Sequence, residues 1–261
     1  MANPYVIDVM QDRQGFIWVA SQNGLFRYDG YDFKVFKHDP QDPASLADNY
    51  IECLFEDSQG TFWVGTHGGV LHKYIWQSGT FKRLLFDQNH PNTTFSTSHV
   101  MSIDEDENQH LWVGTLGGGF HLLDLKTELF VESYRHHASD ENSISDDKIY
   151  RVLEDRQGIL WIGTRNGGLN RFDKKTGQVT RYQHDPADST SLSHNKVFAL
   201  FEDSQGTFWV GTRGGGLNRF DRKTGVFKHY RHNLNDPYSL GSDHIYSIFE
   251  DDGGRLWVGT D

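Results

Sequence analysis

The chain has 261 residues and a formal net charge of −11, with 25 Lys and Arg against 36 Asp and Glu. This acidity argues against nucleic-acid binding, which needs a basic surface, and a content of 36 % hydrophobic and 14 % aromatic residues argues against disorder. The single cysteine, Cys53, excludes an intramolecular disulfide framework, and no apolar run reaches the roughly 18 residues of a membrane span.

A motif centred on tryptophan recurs along the whole chain, in variants of EDxxGxxWVGT. The tryptophans of the six copies are Trp18, Trp63, Trp112, Trp161, Trp209 and Trp257. Their spacing of about 48 residues suits either a two-helix solenoid repeat or a four-stranded propeller blade.

The elements within each repeat are predicted to be strands. In the first repeat, Asp29-Gly30 is the strongest two-residue hairpin signal. In the repeat from Val197 to His244, the short β-rich runs are VFALFED, TFWVGT, LNRFD and VFKHYRH, separated by glycine-bearing turns. No stretch keeps a period of 3.6 residues for the ten or more residues that a helix needs. The pattern predicts one antiparallel four-stranded blade per repeat, and therefore an all-β protein of the β-propeller class.

The chain is predicted to be a single β-propeller region over 1–261. Five blades are complete, and two strands begin a sixth, so we expect a fragment of a propeller rather than a closed ring. The approximate blade boundaries are 5–50, 51–99, 100–148, 149–196, 197–244 and 245–261, the last incomplete.

The repeat pattern [IV]xx[IL]xEDxxGxxWVGTxxGGLxRFDxxTGxF resembles the two-component regulator propeller repeat. The opening QDRQGFIWVASQNGLFRYDGYDF is similar to the first blade of such proteins. The resemblance implies the sensor region of a hybrid two-component histidine kinase or a diguanylate cyclase. By this resemblance, the parent protein would carry a seven-bladed propeller, of which this chain would be a fragment, followed by an immunoglobulin-like segment, a membrane helix and a cytoplasmic output domain.

The resemblance also implies a ligand and a compartment. Hybrid kinases of this family sense oligosaccharides outside the cytoplasm, so we expect a saccharide or another small molecule to bind and a periplasmic or extracytoplasmic location. The first residues lack a secretory signal, so any such signal was removed or never existed. We expect no catalytic residue, metal or cofactor, and no direct membrane insertion of this segment. Further partners would be a second copy of the chain, or a neighbouring propeller or immunoglobulin-like domain.

Two other functions remain open from the residues alone. Streptogramin lyases carry similar G-x-[IL]-W repeats, so a propeller enzyme is the first alternative. A structural protein-interaction propeller is the second, and an apolar patch around Trp76 would favour it.

Residues that recur in every repeat are most simply explained by blade geometry. The six tryptophans are predicted to pack between blades. The aspartates of the Glu-Asp pairs are predicted to form turns. Four histidines at one register are predicted to be structural, namely His38, His136, His184 and His232.

A ligand site, by contrast, should break the repeat. Two variable rows are predicted to lie on one face, at the entrance of the central channel. One row follows each core tryptophan by four residues and comprises Gln22, His67, Leu116, Arg165 and Arg213. The other precedes each first strand and comprises Tyr50, His99, Lys148, Lys196 and His244. These positions hold Lys, Arg and His but no Asp or Glu, which predicts a cationic face that binds an anionic or polyhydroxylated saccharide. Solvated loop residues are the alternative.

Overall fold

The computed structural model describes residues 5–84 and 99–261, and within these the chain contains only β-strands, turns and loops. None of the described residues belongs to a helix long and apolar enough to cross a membrane. The chain divides into two compact units, Met1–Ser133 and Tyr134–Asp261. The predicted end of the second blade, 85–98, lies outside the described residues.

The first unit contains three four-stranded antiparallel sheets, and each is a meander in chain order. The strands of blade 1 are β1 Val6–Gln11, β2 Ile17–Ser21, β3 Gly24–Tyr28 and β4 Phe33–Phe36. Those of blade 2 are β5 Ile51–Glu56, β6 Phe62–Thr66, β7 Leu71–Ile75 and β8 Thr80–Leu84. Those of blade 3 are β9 Val100–Glu105, β10 His110–Thr115, β11 Gly119–Asp124 and β12 Leu129–Tyr134, whose last residue already belongs to the second unit.

The second unit contains two complete sheets and a two-stranded one, with the same meander order. The strands of blade 4 are β13 Ile149–Glu154, β14 Leu160–Thr164, β15 Leu169–Phe172 and β16 Val179–Tyr182. Those of blade 5 are β17 Val197–Glu202, β18 Phe208–Thr212, β19 Leu217–Asp221 and β20 Val226–Tyr230. Blade 6 has β21 Ile245–Glu250 and β22 Leu256–Thr260. The predicted fold class, five complete propeller blades and part of a sixth, is confirmed.

Each blade is held by a carboxylate that bonds both a turn and an indole. In blade 2, Asp57 Oδ1 accepts hydrogen bonds from the amides of Gln59 and Thr61 at 3.0 and 2.8 Å, and its Oδ2 accepts one from Trp63 Nε1 at 2.9 Å. The same indole bond recurs in all six blades, from Asp12, Asp57, Asp106, Asp155, Asp203 and Asp251. The predicted turn-forming role of these aspartates is therefore confirmed.

Within each unit, a core tryptophan packs against the blade that follows it, as Trp18 and Trp161 show. Trp18 stacks on Phe62 of blade 2 with ring centroids 4.2 Å apart, and Trp161 lies 4.9 Å from Phe208 of blade 5. The first four core tryptophans are buried, and Trp209 is half-buried. The predicted burial is wrong for Trp257, which is 59 % exposed because its blade is the last in this chain.

In blades 2 and 5, the glutamate before the turn aspartate ties its blade to the preceding one. Glu56 Oε2 accepts a hydrogen bond from the backbone amide of Arg13 in blade 1 at 3.0 Å. Glu202 accepts one from the amide of Arg156 in blade 4 at 2.7 Å. Close backbone approach adds to this contact, since a Cβ on Gly163 would lie 2.7 Å from a methyl carbon of Val197 in the next blade.

A buried polar side chain on the third strand anchors the loop that enters each of three blades. Asn170 accepts a bond from the amide of Ser145 and donates to the carbonyl of Ile162, and Asn218 does the same in blade 5. In blade 2, His72 takes this place: its Nε2 accepts from the amide of Ala47 at 2.9 Å and its Nδ1 faces the carbonyl of Val64 at 3.3 Å. Burial lowers the pKa of His72 to about 4.

We expect Trp161→Ala to lower the free energy of unfolding by about 3–5 kcal/mol, the usual cost of deleting a buried large aromatic side chain. Trp161→Phe retains most of the packing and removes only the bond to Asp155, so it should cost less, about 1–2 kcal/mol. Urea denaturation of the two variants measures the change in the free energy of unfolding that each substitution causes. An unchanged midpoint for Trp161→Ala would contradict the buried position of this side chain.

We also expect acid destabilisation from His72. Its folded pKa of about 4 lies below the unfolded value of 6.5, so the unfolded state binds more protons between these limits. Stability contributed by the neutral ring is complete above pH 6.5 and is lost as the pH falls towards 4, by up to about 1.4 kcal/mol per pH unit. His72→Asn installs the residue of blades 4 and 5 and should flatten this part of the profile of unfolding free energy against pH. The same slope in both proteins would show that His72 does not cause it.

Candidate ligand-binding site

A β-bulge lies at the second residue of the first strand in every blade. In blade 2, Ile51 pairs with Thr66 and Cys53 with Gly65, which leaves Glu52 outside the ladder. A bulge of this kind redirects one side chain while the flanking pairs keep their register. The bulge recurs but its residue does not: Ile7, Glu52, Met101, Tyr150, Phe198 and Tyr246 occupy it.

Backbone hydrogen bonds bring the two predicted rows together beside this bulge. In blade 2, the amide of His67 donates to the carbonyl of Tyr50 at 2.9 Å. The equivalent bonds link Leu116 to His99, Arg165 to Lys148 and Arg213 to Lys196, at 2.8–3.0 Å. We call the end of each sheet where its first strand begins and its second strand ends the variable edge. The residues of both predicted rows lie on it, together with the bulge residues.

In the first unit, four predicted residues form a connected series at the variable edge. Gln22 Nε2 donates to the Tyr50 hydroxyl at 3.2 Å, and the Tyr50 ring stacks on His67 at 4.6 Å between centroids. The rings of His67 and His99 lie 3.4 Å apart. Glu52, which the sequence analysis did not select, is within reach of both imidazoles. Its Oε1 lies 2.7 Å from His67 Nδ1 and 3.4 Å from His99 Nδ1.

The pKa of His99 is lowered from its ordinary value. Burial is the largest cause, and the positive charge of a protonated His67 adds to it. The nearby carboxylate of Glu52 raises the pKa of His99 by less than these effects lower it.

In the second unit, the variable edge carries aromatic rings beside cations. Tyr150 stacks on Phe198 with centroids 4.0 Å apart, and Phe198 meets Tyr246 edge-on at 5.8 Å. The guanidinium of Arg213 lies 5.6 Å from the ring centroid of Phe198 and 5.8 Å from that of Tyr246. The other cations on this edge are exposed or half-buried, namely Lys148, Arg165 and Lys196.

Two histidines complete the second unit's edge. His244 Nδ1 lies 2.7 Å from Asp261 Oδ2, so this predicted site residue has a carboxylate partner. His194 Nδ1 accepts a hydrogen bond from the amide of Lys196 at 3.0 Å. Burial, followed by the charge of Lys196, lowers the pKa of His194 below its ordinary value.

The acidic residues next to the predicted cations have structural partners. Asp147 accepts a hydrogen bond from the amide of His136 at 2.6 Å, and Asp243 accepts one from the amide of His232 at 2.7 Å.

The imidazoles of the four register histidines lie within 2.6–2.9 Å of the carbonyls of Leu46, Ile144, Leu192 and Leu240. Their predicted structural role is confirmed.

Two other features of the structure belong to the scaffold. Trp76 is half-buried against Phe16 and Trp18 between blades 1 and 2, so it does not present the exposed apolar patch of a docking protein. A cleft of about 350 Å³ opens beside Trp161 and Arg222 in the second unit. The Arg222 guanidinium there already binds Asp155 and Glu202, each at 2.7 Å, so it braces two blades.

The sequence analysis missed the bulge residues Glu52, Tyr150, Phe198 and Tyr246. Each looks like an ordinary strand residue, because a bulge leaves no mark in the hydrophobic pattern. The available signal was variation: this position differs between most repeats, while the residues around it recur.

The sequence repeats of this chain match a known family model and part of one characterised sequence. The family model for the two-component regulator propeller matches residues 1–23, 45–68, 143–166, 191–214 and 239–261. A stretch of 42 residues is 40 % identical to Histidine kinase P4 of Formosa agariphila, which covers 16 % of this chain and 3 % of that protein.

Solved structures share the fold over the whole chain. A structure named as the extracellular domain of a hybrid two-component system from B. thetaiotaomicron aligns with all of this chain and 39 % of its own, at 23 % identity and a TM-score of 0.77. Virginiamycin B lyase from Staphylococcus aureus aligns with 98 % of this chain and 78 % of its own, at 14 % identity and a TM-score of 0.71.

At these identities the structural likeness shows the fold alone, and this chain spans under half of the two-component system domain. The assignment of the repeats rests on the family model and on the motif that carries it, the turn aspartate and glycine followed by Trp-Val-Gly-Thr. The five matched repeats belong to the two-component regulator propeller family.

Proposed function

We propose that this chain is a non-catalytic, ligand-sensing propeller segment of a transmembrane signalling protein, and that the variable edge of its second unit binds an anionic or polyhydroxylated saccharide. The observation that carries the proposal is the contiguous group of Tyr150, Phe198 and Tyr246 with Arg213 beside it. The backbone positions of these residues recur in every blade, but other blades carry different side chains there. Blade geometry alone therefore does not explain why aromatic rings and an arginine meet at this place.

The two kinds of side chain suit the two sides of a sugar. Aromatic rings offer broad apolar faces to the C–H surface of a pyranose ring. The planar fork of an arginine holds a carboxylate, or two neighbouring hydroxyls, with parallel hydrogen bonds. Arg165 and Arg213 are exposed and therefore accessible to such a ligand. For the first unit, Gln22 and Tyr50 are the corresponding polar contacts.

The signalling context draws on the family and on the names of similar proteins. A histidine kinase shares part of the sequence, and the extracellular domain of a hybrid two-component system shares the fold. An extracytoplasmic position, with a kinase or a diguanylate cyclase as the output domain, is the arrangement we propose. The likeness to virginiamycin B lyase keeps an enzyme as the alternative, and the same experiment distinguishes it.

The test is isothermal titration of the chain with a panel of neutral and uronic-acid oligosaccharides. We expect Arg165→Ala/Arg213→Ala to bind at least about tenfold more weakly, because each lost charge-assisted hydrogen bond is worth roughly 1.5–3 kcal/mol. Phe198→Ala should weaken neutral and acidic ligands alike, whereas the arginine variant should weaken the acidic ligands most.

Arg219→Ala is the matched control, since it removes an exposed arginine of the same blade from β19, away from the variable edge. It should leave both affinity and melting temperature unchanged. Equal binding by wild type and the double variant would remove the arginines from the site. Conversion of a bound sugar to product, followed by chromatography, would favour the enzyme instead.

A further inference from the structure

Two histidines and a glutamate converge on one point of the first unit's variable edge. Glu52 comes from the bulge of β5, His67 follows β6, and His99 precedes β9. One ligand atom from each, the carboxylate oxygen and two imidazole nitrogens, lies within 4.8 Å of the other two. We propose that this His2Glu cluster binds one divalent transition-metal ion of the Zn²⁺ type. The proposal goes beyond saccharide sensing and does not depend on it.

The charge of the cluster favours a cation. The side chain of Glu52 is only 8 % exposed, and its polar partners among the described residues are the two imidazoles. A nearly buried carboxylate is costly without a compensating positive charge. A divalent ion among the three groups supplies that positive charge in full.

The geometry requires only small side-chain movements. Zinc binds imidazole nitrogen and carboxylate oxygen at about 2.0–2.2 Å, so ligand atoms at two corners of a tetrahedron lie about 3.3 Å apart. The distance from Glu52 Oε1 to His99 Nδ1 is already 3.4 Å, and the 2.7 Å distance to His67 Nδ1 must lengthen by about 0.6 Å to reach the tetrahedral spacing.

The ligand set also indicates the class of metal. Imidazole nitrogen suits Zn²⁺, Co²⁺, Ni²⁺ and Cu²⁺, whereas Mg²⁺ and Ca²⁺ prefer an all-oxygen shell. The side chains of His67 and His99 are 41 % and 26 % exposed, so an ion can enter from solvent. Three protein ligands leave a fourth position for water or for an anionic group of another molecule.

The cluster is not a requirement of the scaffold. The bulge position of Glu52 holds a hydrophobic or aromatic residue in each of the other blades. The position of His67 holds Gln22, Leu116, Arg165 and Arg213 in blades 1, 3, 4 and 5. Three metal-ligating side chains therefore meet at a place where five other blades fold without them.

The test is titration of the metal-free chain with ZnCl2, followed by equilibrium dialysis and metal analysis. We expect one Zn²⁺ per chain and a rise in melting temperature that grows with the concentration of free metal. MgCl2 and CaCl2 at the same concentration should give neither effect. Removing a residue that only hydrogen-bonds a metal ligand usually weakens metal affinity at least about tenfold. Removing one of the three ligands should therefore weaken Zn²⁺ affinity about tenfold or more.

The variants are His67→Ala, His99→Ala and Glu52→Gln, the last of which keeps the size of the side chain and so guards against a folding defect. His137→Ala removes an exposed histidine elsewhere and should bind Zn²⁺ as wild type does. No stoichiometric zinc, zinc binding that survives all three ligand variants, or equal loss in His137→Ala would overturn the proposal. The cluster would then be a hydrogen-bonded Glu-His pair.

Discussion

The bond from an indole N–H to an aspartate carboxylate is the constraint on which the rest of the structure depends. One oxygen of Asp57 closes the turn between the first two strands, and the other fixes the plane of Trp63. A tryptophan oriented in this way becomes the surface on which the next blade packs, as Trp18 does for Phe62. Because the turn, the strand register and the packing between blades share one carboxylate, an error in any of them disturbs all three.

This arrangement separates the scaffold from the recognition surface. The turn carboxylates and the glutamate braces act at the end of each sheet where the first strand ends. The side chains that differ between blades lie at the opposite end, on the variable edge, and are held there by backbone hydrogen bonds that any residue except proline can make. Chemistry can therefore change at one end of a blade without altering the packing at the other.

Much of this could be predicted from the sequence, because recurrence reveals blade geometry. The strands, the turn aspartates and the placement of the two variable rows at the same end of the blades follow from a repeat read six times. The brace made by Glu56 could not, because its partner is a backbone amide more than forty residues away. The positions of Glu52 and Phe198 could not either, since a bulge is a backbone feature and both residues read as plain strand. The exposure of Trp257 depends on a neighbouring blade rather than on its own repeat.

The bulge explains how one scaffold carries two different chemistries. A residue outside the hydrogen-bonded ladder is not selected for strand packing, and its six occupants range from isoleucine to glutamate and tyrosine. The ladder residues beside it have no such freedom: Gly65 and Gly163 approach the next blade so closely that a single methyl group would clash. Placing Glu52 at this position gives the first unit an acidic centre between histidines, and placing Phe198 there gives the second unit an aromatic floor beneath an arginine. The difference between the proposed metal-binding edge and the proposed sugar-binding edge thus requires a change at one unpaired position per blade and at the loop residues that backbone bonds hold next to it.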